Sequence, residues 1–207
     1  MKKLIALIMS LICVFSLVAC DSKSDKDYGE TETLTTDSTT DGVQPGGTQL
    51  EEVFDITVSY ANWSDMSEIY AKSINVDKLS ISSVPHLPIY KFETLAELEQ
   101  FKNDVKDDLT IDRGYDEMPS FNDSTAKYDE VFFKENTLML VYVEASSGSD
   151  RFGVDSIHCA DGEFVIHVKY TNKPDGGTCD MAGWFITVAV PNSMIADCTE
   201  FDADFYW

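Results

Sequence analysis

Four runs rich in β-branched and aromatic residues, 137–144, 152–159, 163–171 and 184–190, crowd the C-terminal half of the chain. Residues that suit a pleated, half-buried surface at this density commit the chain to a β-sheet. The second and third runs are separated by Asp161-Gly162, a pair that accepts the left-handed backbone of a two-residue hairpin turn. That turn sets a register. Ala160 faces Glu163, so Cys159 pairs with Phe164, Ile157 with Ile166 and Asp155 with Val168 on one face, while His158 with Val165 and Ser156 with His167 fall on the other. The first face is the more apolar and is the expected core side. If the fourth run lies antiparallel to the third, it ends near the rim that holds Cys159. Cys198 then comes close to Cys159, and Cys179 sits at the opposite rim. A Cys159–Cys198 disulfide is the favoured pairing, with Cys179 free; Cys179–Cys198 is the alternative.

Upstream, 54–60 alternates as a strand and 65–73 reads as a short helix. Residues 87–92 form an edge strand, because Pro88 has no N–H for a ladder. Thr94-Leu-Ala-Glu97 is a capping box, and Leu95, Leu98, Phe101 and Val105 follow at helical spacing as one apolar face, ending near Lys106. Residues 107–123 are acidic and turn-rich. Residues 128–136 make a helical turn whose Phe132 and Phe133 plug the core, and 201–207 is a last edge strand packing Phe201, Phe205 or Trp207. The reading is an α+β fold, an antiparallel, sandwich-like β domain with one main amphipathic helix, over 51–207.

The first nineteen residues do not belong to that domain. Lys2 and Lys3 precede an apolar run, 4–18, broken by Ser10 and Ser16, and the run ends in Leu17-Val18-Ala19-Cys20. Positive charge, a short apolar helix and a small residue at the cut make a secretory signal. The run is shorter than the ~20 residues that span a bilayer. A cysteine directly after the small residue is the lipoprotein signature: Cys20 is the expected lipid-attachment site, and the chain is expected on the extracytoplasmic face of the membrane, held by acyl chains. Residues 21–50 are rich in Asp, Glu, Ser, Thr and Gly, too poor in apolar surface to offset the entropy of ordering. They read as a disordered tether reaching roughly 100 Å when extended.

The chain carries 15 Lys and Arg against 37 Asp and Glu, a net charge of −22. That balance repels phosphate backbones and anionic lipid, so no nucleic-acid partner is expected. No C-x₂-C pair marks a zinc site, no D-x-D-x-D-G loop marks a calcium site and no G-x-S-x-G elbow is present. No cofactor is expected. His158 and His167 share a face, but a third ligand must converge before they hold a metal. His86, between prolines, reads as a loop residue. Two loops stand out as candidates for binding a partner. One is Ser146-Ser147-Gly148-Ser149 with Arg151 after it, where small residues let a ligand approach the backbone. The other is 173–183, a Gly-rich stretch that includes Gly176, Gly177 and Asp180. Asp175 and Asp180 beside Cys179 would raise its pKa, the opposite of what a catalytic thiol needs.

The segments Tyr128-Asp-Glu-Val-Phe-Phe133, Ser147-Gly-Ser149 and Gly177-Thr-Cys-Asp-Met-Ala182 resemble uncharacterised extracytoplasmic lipoproteins of Gram-positive anaerobes. The order of strands is similar to the C-terminal domain of the lipoprotein subunit of a spirochaete protease complex. The likeness covers about a third of the chain and leaves out the capped helix and the acidic segment. It implies a β-rich accessory domain with no assigned catalysis. The expected function is a non-enzymatic lipoprotein that binds a surface protein or peptide. The alternatives are a solute- or glycan-binding lipoprotein, with Tyr142, Tyr170 and Trp184 as stacking candidates, and then a hydrolase.

Overall fold

Strands that are apolar at every position need cover on both faces, and strands that alternate need it on one; the apolar runs 137–144 and 184–190 lie together at the centre of one sheet, and the runs 152–159 and 163–171 pair in the other. The computed structural model describes residues 54–62, 67–79, 85–177 and 180–205. Cys20, the tether, Trp63, Cys179 and Trp207 lie outside the described residues. The first sheet has the order β1-β6-β3-β2 and is antiparallel throughout: β1 is Asp55–Tyr60, β2 Ile89–Phe92, β3 Asn136–Ala145 and β6 Ala182–Pro191. The second has the order β4-β5-β7, from β4 Arg151–Ala160, β5 Glu163–Asn172 and β7 Glu200–Phe205.

The central strands β3 and β6 are buried along nearly their whole lengths. On one face, Met139, Val141 and Val143 join Trp184, Ile186 and Val188 in a cluster that also takes Phe164, Ile166, Val168, Ala203 and Phe205 from the second sheet. On the other face, Leu138, Leu140, Tyr142 and Phe185 meet residues of the helices. The helices are α1 Ser67–Ala71, α2 Leu95–Val105, α3 Phe121–Thr125 and α4 Phe132–Glu135. The capping box at α2 is formed. Thr94 Oγ1 accepts from the Glu97 N–H at 3.2 Å, and Glu97 Oε2 accepts from the Thr94 N–H at 3.1 Å. Leu98, Phe101 and Val105 are its buried stripe, with Phe101 against Tyr90, Phe92, Phe121 and Phe185.

Three expectations are corrected. β6 does not neighbour β5. Being apolar on both faces, it takes a central place between β1 and β3, while β5, whose outer face is polar, gains β7 as a parallel partner. Asp155 does not face Val168. The hairpin keeps its register from Ala160↔Glu163 to Ser156↔His167, with Asp161 at φ 56° and Gly162 at φ 85°, but then shifts so that Val154 pairs with Val168. This β-bulge keeps Val154 against the core and sends Asp155 outward to Lys169, 2.8 Å away. Lastly, the acidic segment contains α3, capped by Ser120, whose Oγ accepts from the Asp123 N–H at 3.0 Å, with Phe121 fully buried beneath.

Candidate functional site

The strand register dictates where the two candidate loops emerge. β3 and β6 end and begin at the pair Ala145↔Ala182, and β4 and β5 begin and end at Arg151↔Asn172. The β3–β4 and β5–β6 connections therefore leave the same end of the two sheets, side by side. They touch. The Gly148 N–H donates to the Asp180 carbonyl at 2.9 Å and lies 3.3 Å from its carboxylate Oδ1. A methyl on Gly148 would come within 2.7 Å of Asp180 Oδ2, and one on Gly177 within 2.8 Å of Ser147 Oγ. A side chain at 148 or 177 would make the Asp180 carboxylate or the Ser147 hydroxyl shift, because the loops pack closely. A methyl on Gly176 would meet nothing within 4 Å among the described residues.

Arg151 ties this end together. Its Nη1 donates to the carbonyls of Gly148 at 2.7 Å and Asp150 at 3.1 Å, and its Nη2 meets Asp116 at 3.2 Å. The guanidinium lies 4.9 Å from the ring centre of Trp184, which is fully buried. Within the loop the Ser149 N–H donates to Ser147 Oγ at 3.2 Å. Three residues that sequence reasoning missed complete the wall. Tyr60, at the end of β1, stacks on Tyr115 at 5.0 Å, both rings stand edge-on to Trp184, and Asp116 holds Arg151 from the outside. Burial raises the Tyr60 hydroxyl pKa; Arg113 opposes this, and Tyr115 and Asp180 reinforce it. Asp116 takes a left-handed backbone, at φ 55°, within a turn that Tyr115 and Met118 close by exchanging N–H···O bonds at 3.1 and 3.0 Å. Beside the cluster, Met181 is half exposed. At this end Asp116 and Asp180 are exposed, while Ser147, Gly148 and Asp150 are buried.

The other candidates fall elsewhere. Cys159 and Cys198 lie at the opposite rim, with Sγ atoms 3.4 Å apart. They are close because β7 starts parallel to β5 beside Glu163; β6 also ends at this rim, at Pro191, and Cys159 Sγ lies 3.2 Å from the carbonyl of Met194 just beyond it. His167 Nδ1 sits 2.6 Å from Asp204 Oδ1, and His86 Nδ1 2.9 Å from Asp202 Oδ2. His86 also forms an isolated backbone bridge with Asp204 and is more than a loop residue. Among the described residues no three His, Cys, Asp or Glu side chains gather as a metal site. Tyr142 and Trp184 are fully buried, and Tyr170 is packed between Phe152 and Phe205, so the three aromatics make no open stacking platform. A groove of about 470 Å³ runs between α2 and β2, over Tyr90, Phe92 and Phe101, away from every candidate residue. No described helix is long and apolar enough to cross a membrane. Comparison with family models, with curated proteins and with solved structures returns no match to the chain.

Proposed function

We propose that the chain is a lipoprotein anchored through Cys20 on the extracytoplasmic face of the membrane, and that its folded domain is a non-enzymatic module binding a protein or peptide partner. On this reading the two sheets pack as a sandwich with the helices outside one of them. The end that carries the 146–151 and 173–181 loops is the working end. The observation that carries the reading is the junction of these two loops, Gly148 N–H on Asp180 O at 2.9 Å, backed by Arg151 on Trp184. Loops held rigidly by sheets are where binding residues concentrate. The acceptor-rich, acidic character of this end favours a partner that brings donors or positive charge. The resemblance to extracytoplasmic accessory proteins is part of the same proposal, as is the absence of any catalytic role.

Two measurements test it. Labelling with radioactive palmitate should mark the full chain and be abolished in Cys20→Ser; an unlabelled wild-type chain removes the anchor. A photo-crosslinking residue at Ser149 should capture one discrete partner, and the same residue at Glu99, on the far side of α2, should not. Equal capture at both positions overturns the assignment of the loop end.

A further inference from the structure

We infer that Cys159 and Cys198 join as a disulfide that clasps the β4–β5 turn to the start of β7. The two sulfurs already face each other at 3.4 Å, and a bond needs only that they close to about 2.05 Å. The backbone around them is held without their help. The N–H groups of Thr199 and Glu200 both donate to the Gly162 carbonyl, at 2.8 and 3.1 Å, and Cys198 N–H donates to Ile195 O at 3.0 Å. Each thiol also leans on a neighbouring carbonyl, Cys159 on Met194 and Cys198 on Glu163.

The two thiols are not equivalent. Cys159 is exposed and Cys198 is partly covered. Burial, then the neighbouring Cys159, pushes the Cys198 thiol up to about 11. An incoming oxidant therefore meets Cys159 first. With a low-molecular-weight or protein disulfide as oxidant, the Cys159 thiolate attacks one of its sulfurs, forming a mixed disulfide and expelling the first thiolate. Cys198 gives up its proton and attacks Cys159 Sγ, which expels the second. Two electrons pass to the oxidant, which leaves as two thiols carrying the two protons.

The clasp acts on the strand most in need of it. β7 is the last strand of its sheet, laddered in parallel to β5 and met on its other side only by residues 85–87, through Leu87 N–H on Ala203 O at 2.8 Å and Phe205 N–H on Pro85 O at 3.1 Å. It carries Asp202, which holds Asn75, Lys78 and His86, and Asp204, which holds His167. Linking positions 39 apart restrains the unfolded chain. The clasp needs only a disulfide oxidant and is independent of what the opposite end of the sheets binds.

The test uses the full chain, purified reduced and then exposed to oxidised glutathione. A non-reducing peptide map should show Cys159 linked to Cys198, with both protected from alkylation. The thermal midpoint should rise by roughly 5–15 °C on oxidation, and amide exchange in β7 should slow. Cys159→Ser should abolish the linkage and the rise; Cys198→Ser, if it folds, should do the same. Alkylation of both thiols after oxidation, or linkage of either to Cys13, Cys20 or Cys179, overturns the proposal.

Discussion

Replacing Arg151 by alanine tests whether the loop end is braced from inside. The guanidinium makes two hydrogen bonds to loop carbonyls, at 2.7 and 3.1 Å. Charged donors of this kind are worth about 1.5–3 kcal/mol each when buried. Here the side chain keeps 22% of its exposure and water can take over part of the work, so the pair together is set at about 1.5 kcal/mol. The contact over Trp184 adds about 0.5–1 kcal/mol. Asp116 is 66% exposed, and its ion pair contributes at most a few tenths. The expected loss is about 2–3 kcal/mol, a fall of roughly 4–12 °C in the midpoint for a domain of this size. Arg151→Lys keeps the charge but has no planar fork and should recover less than half. Asp116→Asn should stay within about 0.5 kcal/mol of wild type. Urea unfolding followed by circular dichroism reads all three. If Arg151→Ala lies within about 0.5 kcal/mol of wild type, the side chain does not brace the loops.

Gly148→Ala should separate the loops, since its methyl meets Asp180 Oδ2 at 2.7 Å. Faster proteolysis within 146–150, restored by adding Asp180→Ala, is the expected signature, and no rescue would refute the clash. Asp202 is buried and accepts from Asn75 Nδ2 at 2.7 Å and its neighbour's Ala203 N–H at 2.9 Å, with His86 at 2.9 Å. Asp202→Ala removes an acceptor from Asn75 Nδ2, which keeps Leu87 O, and from the Ala203 N–H, together with the carboxylate facing His86 and Lys78, and should cost about 2–3 kcal/mol in urea unfolding; a loss under about 1 kcal/mol would show that the network is not structural. Burial first, then Glu144, pushes the Tyr70 hydroxyl up to about 12, and burial pushes those of Tyr90 and Tyr142 higher still. Unfolded tyrosines ionise near 10, so the stability these groups contribute is whole below pH 10 and drains away as pH climbs through 12. For each of the well-buried Tyr90 and Tyr142 the loss is about 1.4 kcal/mol per pH unit. The urea midpoint should fall steadily from pH 10 to 12, and a flat profile would refute the burial argument.

What was legible follows the range over which each feature is determined. The capping box at Thr94 and Glu97 and the turn at Asp161-Gly162 are made by residues a few positions apart, and both are present as read. The hairpin register holds for as long as the turn alone dictates it. It fails at Asp155, where the choice between burying a carboxylate and burying Val154 depends on the second sheet's core and on Lys169. The continuous apolar pattern of β6 marks a strand covered on both faces but says nothing about its neighbours; assuming β5 beside it gave the wrong ladder. The candidate loops repeat the lesson. Ser147, Gly148, Arg151, Gly177 and Asp180 each stand out for composition, yet only the β3–β6 and β4–β5 ladders, both closing at the same end, bring them together. Gly176, equally prominent in sequence, shows no such close approach among the described residues. Tyr60 and Tyr115, which wall the cluster, carry no local mark, because one belongs to an ordinary strand end and the other to the turn that closes on Met118. A site assembled by topology thus shows its small residues to a reader of the sequence and hides its large ones. A glycine admitting a close approach is conspicuous alone, whereas an aromatic is as readily core as wall until its neighbours are known.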